Sequence, residues 1–200
     1  MALCAVVSQA AAEFDPEDPI LDAARDTVLD FGVRRTTVSE VARRAGVSRM
    51  TVYRRHPDGA ALLRALMARE FGGVLEQAER ETAWLGTGRE RLVASAIRCV
   101  DLLASNPVLL RILELDAERL LPYFTGTPGR FQRLAHELLR ERVEACQAEG
   151  SVRGGDPDQL AATAELALRG MVLAARGLTH EERAVTLREL GRMLDSYLRH

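Results

Sequence analysis

The chain has 200 residues, of which 47% are hydrophobic and 28% charged, enough to bury a core for one domain or two small ones. Aromatic residues make up only 4%, which disfavours strands built on Tyr, Phe and Trp, while the abundance of Ala, Leu, Arg and Glu favours helix. A net charge of −2 excludes a chain that is basic throughout, but the mean conceals a split. Between Phe31 and His56 seven arginines face a single acid, Glu40, formally +6, which leaves −8 on the remainder. A basic segment on an acidic body is the distribution expected of a nucleic-acid reader. All 27 basic residues are arginine.

In chain order, Met1 to Ala12 is apolar, but it is too short to span a bilayer and lacks the basic start of a signal peptide. Residues 1–17 therefore read as a flexible tail, no membrane association is expected, and a cytoplasmic location follows. A first helix opens at Asp18-Pro19, an acid cap followed by proline at the first helical position, with Leu21, Ala24, Val28 and Phe31 on its apolar face and Gly32 at its end. Two short helices occupy Thr37 to His56. A longer one runs from about Ala60 to Thr82 and meets the joint Gly86-Thr87-Gly88. Helices then follow from Arg89 to Ser105, Val108 to Leu120, Phe131 to Glu149, Asp156 to Gly177 and His180 to Leu198, with loops at Pro122 to Gly129 and Gly150 to Gly155. No alternating strand pattern appears. The fold expected is all-α, with a three-helix N-terminal domain over residues 18–76 and a second helical domain over residues 77–200.

The informative stretch is Thr37 to His56. Thr37-Val38-Ser39-Glu40 has the form of a capping box, in which the Thr37 hydroxyl bonds the Glu40 amide and the Glu40 carboxylate reaches back to the Thr37 amide. Val38, Val41, Ala42 and Ala45 form one apolar face, and Gly46 ends the helix where a positive φ is wanted. Ser48 caps a second helix whose inward residue is Val52. Two helices joined by a tight glycine-containing turn, with small Ala42 at the crossing, form a helix-turn-helix pattern. Arg49, Met50, Thr51, Tyr53, Arg54 and Arg55 then lie away from Val52, on a helix of a size that fits the major groove.

These residues, together with Ile20-Leu21-Asp22-Ala23-Ala24, Ala45-Gly46-Val47-Ser48 and Thr51-Val52-Tyr53, resemble the N-terminal domain of the TetR family of transcriptional regulators. The resemblance covers roughly Pro19 to Phe71. It implies a head that reads double-stranded DNA at a palindromic operator and a variable helical body that binds a small-molecule effector and forms a homodimer. It further implies repression relieved by that effector, with no cofactor, no metal and no catalysis. Carried over residue by residue, it makes Thr37, Ser48, Tyr53 and Arg55 phosphate contacts and Arg49 and Met50 base readers, with Arg54 in either role. Thr51 and His56 complete the expected DNA-facing set. Two positions depart from the family pattern: an aromatic residue usually stands where this chain has His56, and a phosphate-contacting lysine where it has Gly59.

Beyond the head, the last two helices carry small residues at Ala161, Ala164, Ala167, Gly170 and Ala174, and a stripe of Leu187, Leu190, Leu194 and Tyr197. Either a partner subunit or the subunit's own core can cover such faces. For the effector pocket the candidates are Cys99, Tyr123, Phe131, His136, Glu165 and Arg169. Cys4, Cys99 and Cys146, like the four histidines, lack metal-ligand spacing. A sequence-independent nucleoid protein would need basic charge over more of the chain. A helical enzyme would need a triad, a phosphate loop or an HExxH pattern, none of which is present.

Overall fold

A computed structural model of the protein describes residues 18–116 and 130–200, the side chains at 130–132, 134 and 176 excepted. The described residues form helices α1 (Pro19–Phe31), α2 (Val38–Arg44), α3 (Arg49–Arg55), α4 (Gly59–Thr82), α5 (Gly88–Ala104), α6 (Pro107–Leu115), α7 (Arg130–Ala148), α8 (Pro157–Ala174) and α9 (His180–Leu198), and among them there is no strand. The architecture is all-α, as expected. The tail at residues 1–17 and the loop expected at Pro122 to Gly129 lie outside the described residues.

Packing divides the chain into two compact units. Among the described residues, the first holds 18–73 and 106–116, and the second 74–105 and 130–200. The sequence places the helix after Pro107 in the body; its contacts put α6 with the head instead.

Within the first unit the core is Ile20, Leu21 and Val28 from α1, Val41 from α2, Val52 from α3 and Leu62 and Leu66 from α4, each at most 2% exposed. Burying such side chains contributes roughly 1.5–3 kcal/mol each, which holds three short helices that could not persist alone in water. Phe31, expected on the apolar face of α1, is instead 43% exposed, with the Arg44 guanidinium 5.1 Å above its ring.

The C-terminal end of α6 is docked on the C-terminal end of α1. Arg111 donates from Nε to the Leu29 carbonyl at 2.8 Å and from Nη2 to the Asp30 carbonyl at 3.2 Å. Both carbonyls lie in the last turn of α1, where no intrahelical donor remains. Asp116 is buried, and its Oδ2 accepts the Val33 amide at 2.8 Å. Gly32 lies between these contacts at φ +77°, and a Cβ there would be 2.8 Å from Asp116 Oδ2 and 3.0 Å from Leu115 Cδ1. No other residue type fits without displacing them.

In the second unit, α5 packs against α7, α8 and α9. One core cluster includes Leu92, Val143, Val152, Leu160, Leu194 and Leu198; another joins Val100, Ala104, Met171, Ala175 and Leu187. Complete capping boxes open α5 at Thr87 and Glu90 and α9 at Thr179 and Glu182.

Candidate nucleic-acid interface

The helix-turn-helix is built by local rules. Thr37 Oγ1 accepts the Glu40 amide at 3.2 Å and starts α2. At its far end the chain reverses through Gly46 at φ +66°, and the Val47 amide returns to the Ala42 carbonyl at 3.0 Å. Ser48 Oγ then accepts the Thr51 amide at 3.1 Å and starts α3. Val38, Val41, Ala42 and Val52 are buried between α1, α2 and α3, which fixes the rotation of α3 about its axis.

That rotation decides what the helix shows to solvent. Met50 is 75% exposed and Tyr53 45% exposed. Arg49, Arg54 and Arg55 are exposed too, and Thr51 is half-buried. A seven-residue helix thus presents two guanidinium groups without an acid partner among the described residues (Arg49 and Arg54), a thioether and a phenol on one outward face. Such a face can offer bidentate donors to guanine edges or phosphates, an apolar contact for a thymine methyl, and a hydroxyl for the backbone. Thr37 and Ser48 spend oxygen lone pairs on caps. The exposed Thr37 hydroxyl keeps its proton for an acceptor, whereas Ser48 and Thr51 share a 2.9 Å hydrogen bond, so one of that pair has its proton engaged.

Arg43, Arg44 and Arg55 are less available. Glu40 does not close a capping box; its carboxylate is taken by Arg43, at 3.0 and 2.6 Å, and by Arg44 Nε at 2.9 Å. Those hydrogen bonds hold the Glu40 carboxyl well below its usual range, at about 2. Arg44 reaches in addition to Asp30 at 2.7 Å, tying α2 to the end of α1. Arg55 pairs with Asp18 at 3.1 Å while keeping half its side chain exposed, and Asp18 also caps α1 through the Ile20 amide at 2.9 Å. The end of α3 is thereby tied to the start of α1, a link that the sequence pattern does not signal.

One expected DNA-facing residue is not on the surface. His56 is buried, its Nε2 has no hydrogen-bond partner, and burial pushes its pKa below the usual imidazole range. It takes the core place of the aromatic that usually occupies this position, so it is removed from the DNA-facing set. Gly59 opens α4 without a side chain where the family pattern has a lysine; the cap there is Asp58, whose Oδ1 accepts the Ala61 amide at 2.6 Å.

The chain is similar to known proteins over the head and beyond it. Residues 20–66 match the family model described as bacterial regulatory proteins, tetR family. HTH-type transcriptional regulators of Mycobacterium bovis and Mycobacterium tuberculosis, both uncharacterized, are each 36% identical over 156 residues, 78% of this chain and 79% of theirs. The chain belongs to the TetR family. It is a DNA-binding transcriptional regulator of that family, which is one of regulators rather than enzymes. The fold agrees: a solved TetR-family regulator of Pectobacterium atrosepticum superposes with a TM-score of 0.66 at 20% identity, covering 96% of this chain and 93% of that one. No single described helix is long and apolar enough to cross a membrane.

Of the four candidate effector residues that are described, His136, Glu165 and Arg169 meet and Cys99 does not join them. His136 Nε2 lies 2.9 Å from Asp158 Oδ1 and its Nδ1 3.3 Å from Glu165 Oε2, and Glu165 is paired with Arg169. Asp158 and Glu165 raise the His136 pKa, and the four groups form a polar tie between α7 and α8. Cys99 stands apart from them on α5, its thiol pushed up to about 12 by burial, which argues against a reactive thiolate. Tyr123 and the Phe131 side chain lie outside the described residues.

Of the two coverings open to the α9 stripe, a partner subunit or the subunit's own core, the core takes most of it. Leu187 and Leu194 are 6% and 3% exposed, and Leu190 and Tyr197 pack partly buried against the same core, because α9 turns this face onto α5 and α8. The outward apolar surface lies elsewhere. It includes Leu166 at 66%, Leu173 at 40% and the exposed small residues Gly170 and Ala174 on α8, with Val185 at 48% and Met193 at 52% on α9.

Proposed function

We propose that this regulator is a homodimeric repressor of a palindromic operator, released when a small molecule binds its body. The observation that carries the reading is the outward face of α3, where Arg49, Met50, Tyr53 and Arg54 stand clear of the core while Val52 anchors the helix. Arg49 and Met50 read base edges; Thr37, Ser48, Thr51, Tyr53 and Arg55 position the head on the backbone, and Arg54 serves either purpose. A single seven-residue helix reaches few base pairs, so specificity comes from two heads on half-sites about 34 Å apart.

The outward apolar stripe of α8, with Val185 and Met193 of α9, supports dimerisation. Gly170 and Ala174 permit close helix approach, and leucines exposed to this degree gain from burial against a second copy. Effector binding then favours a dimer whose heads no longer match successive major grooves.

Gel shifts with DNA from upstream of the gene test the reading. Arg49→Ala and Tyr53→Ala abolish the shift while leaving the circular-dichroism spectrum and melting temperature unchanged. Retention of the shift by both variants refutes the recognition-helix assignment.

A further inference from the structure

We propose that the second unit carries a binding site for an aliphatic anion, a long-chain carboxylate, in the groove between α5 and α9. The groove has a volume of about 650 Å³, within the range of small-molecule sites. Its floor is apolar, with Val93, Ala94 and Ile97 of α5 opposite Leu187 and Gly191 of α9. Gly191 keeps the floor open: a Cβ there would make ordinary contact with Ile97 Cγ1 at 3.5 Å, and a longer side chain would occupy the groove itself.

The charge around this trough is lopsided. Every acid that lines it already has a partner. Glu90 accepts the Thr87 amide at 2.8 Å, Asp101 binds Arg98 at 2.7 Å and faces Arg183 at 3.5 Å, and Asp195 is paired with Arg89 and Arg199. Arg188 and His180 line the same groove with no ion-pair partner among the described residues. Arg192, on the same edge of α9, pairs with Glu189, and both are largely exposed. The positions 180, 188 and 192 differ by multiples of four and so follow one row along the helix.

An apolar trough bordered by an arginine without an acid partner, Arg188, matches one kind of occupant, a hydrocarbon chain with an anionic end. The chain displaces water from Val93, Ile97 and Leu187, and the carboxylate takes a paired hydrogen bond from the Arg188 guanidinium. A neutral chain lacks the second interaction, and a short anion lacks the first. Among the described residues, none of the effector candidates Cys99, His136, Glu165 and Arg169 lines this groove. The assignment goes beyond the repressor reading and stands whether or not occupancy alters DNA binding.

Isothermal titration of the full chain with dodecanoate, dodecanol and acetate tests it, alongside Arg188→Glu and Gly191→Leu. Arg188 is exposed and Gly191 has room for a Cβ, and circular-dichroism melting verifies that both variants fold. Dodecanoate is expected to bind at least tenfold more tightly than dodecanol or acetate, to shift the methyl resonances of Ile97 and Leu187, and to bind each variant at least tenfold more weakly. Equal affinity for dodecanoate and dodecanol overturns the proposal, as does dodecanoate binding that survives both variants. Conversion of a dimer to a monomer by either variant without ligand assigns the groove to a second copy of the chain and also overturns it. Operator gel shifts on the same ligand-free samples keep the two readings separate, since loss of DNA binding bears on the repressor reading and loss of dodecanoate binding on the groove.

Discussion

Replacing Gly32 with alanine tests how the head is held to α6. The residue lies at φ +77° and ψ 173°, a backbone region that costs a residue with a side chain of order 1–3 kcal/mol. The new Cβ would sit 2.8 Å from Asp116 Oδ2 and 3.0 Å from Leu115 Cδ1, so the carboxylate must withdraw. Withdrawal lengthens the 2.8 Å bond from the buried Val33 amide, a charge-assisted interaction of about 1.5–3 kcal/mol. Together the two effects give a loss of about 2.5–6 kcal/mol, a large share of the roughly 5–15 kcal/mol that holds a folded protein together. Gly46→Ala is the control. It too has a positive φ, +66°, but a Cβ there meets nothing within 4 Å, so only the backbone penalty of about 1–2 kcal/mol applies. Urea unfolding followed by circular dichroism gives both values, and hydrogen exchange at the Val33 amide reports the local bond. If Gly32→Ala costs no more than Gly46→Ala, or leaves the Val33 amide as protected as in the wild type, the docking of α6 on α1 is not held as described.

His56→Phe restores an aromatic and removes a buried nitrogen without a partner, and is expected to raise stability by about 1 kcal/mol at neutral pH with operator affinity unchanged. Because burial depresses the His56 pKa, the unfolded chain binds the proton first as pH falls through about 6.5, so acid removes stability from the wild type. His56→Phe lacks that loss, and its advantage in urea midpoint should widen between pH 7 and pH 5; a constant advantage would place the titrating histidine elsewhere. The arginines of the head should also separate by their partners. Arg55→Ala, which removes a phosphate contact, is expected to lower the slope of log K against log salt for operator binding by about one. Arg44→Ala, whose guanidinium is held by Glu40 and Asp30, should leave that slope unchanged while lowering stability. Equal slope changes in both variants would mean that Arg44 also reaches phosphate.

What the sequence made legible follows the range of the forces involved. The caps at Thr37 and Ser48, the turn at Gly46 and the inward Val52 depend on neighbours within four residues, and the structure reproduces them. The same short-range pattern misleads at Glu40. Thr37 to Glu40, Thr87 to Glu90 and Thr179 to Glu182 share one spacing, yet only the last two close a capping box, because Arg43 and Arg44 one turn on compete for the Glu40 carboxylate. Burial of His56 depends on how the end of α3 settles on the core, and no local pattern encodes it. The stripe on α9 was equally ambiguous: helical periodicity shows that one face is apolar, not whether α5 or a second chain covers it. The grouping of α6 with the head rests on Asp116 and Val33, 83 residues apart, a separation beyond any periodicity. Of the expected pocket, His136, Glu165 and Arg169 do meet, but as a tie between two helices, and the trough between α5 and α9 is formed by faces that sequence spacing alone does not bring together.

Selection of bound fragments from random double-stranded DNA by the purified chain addresses the recognition face of α3 most directly. Enrichment of an inverted repeat whose half-site centres lie about one helical turn apart, lost with Arg49→Ala, is the predicted result. Recovery of no common sequence, with random DNA bound as tightly as any recovered fragment, would contradict it.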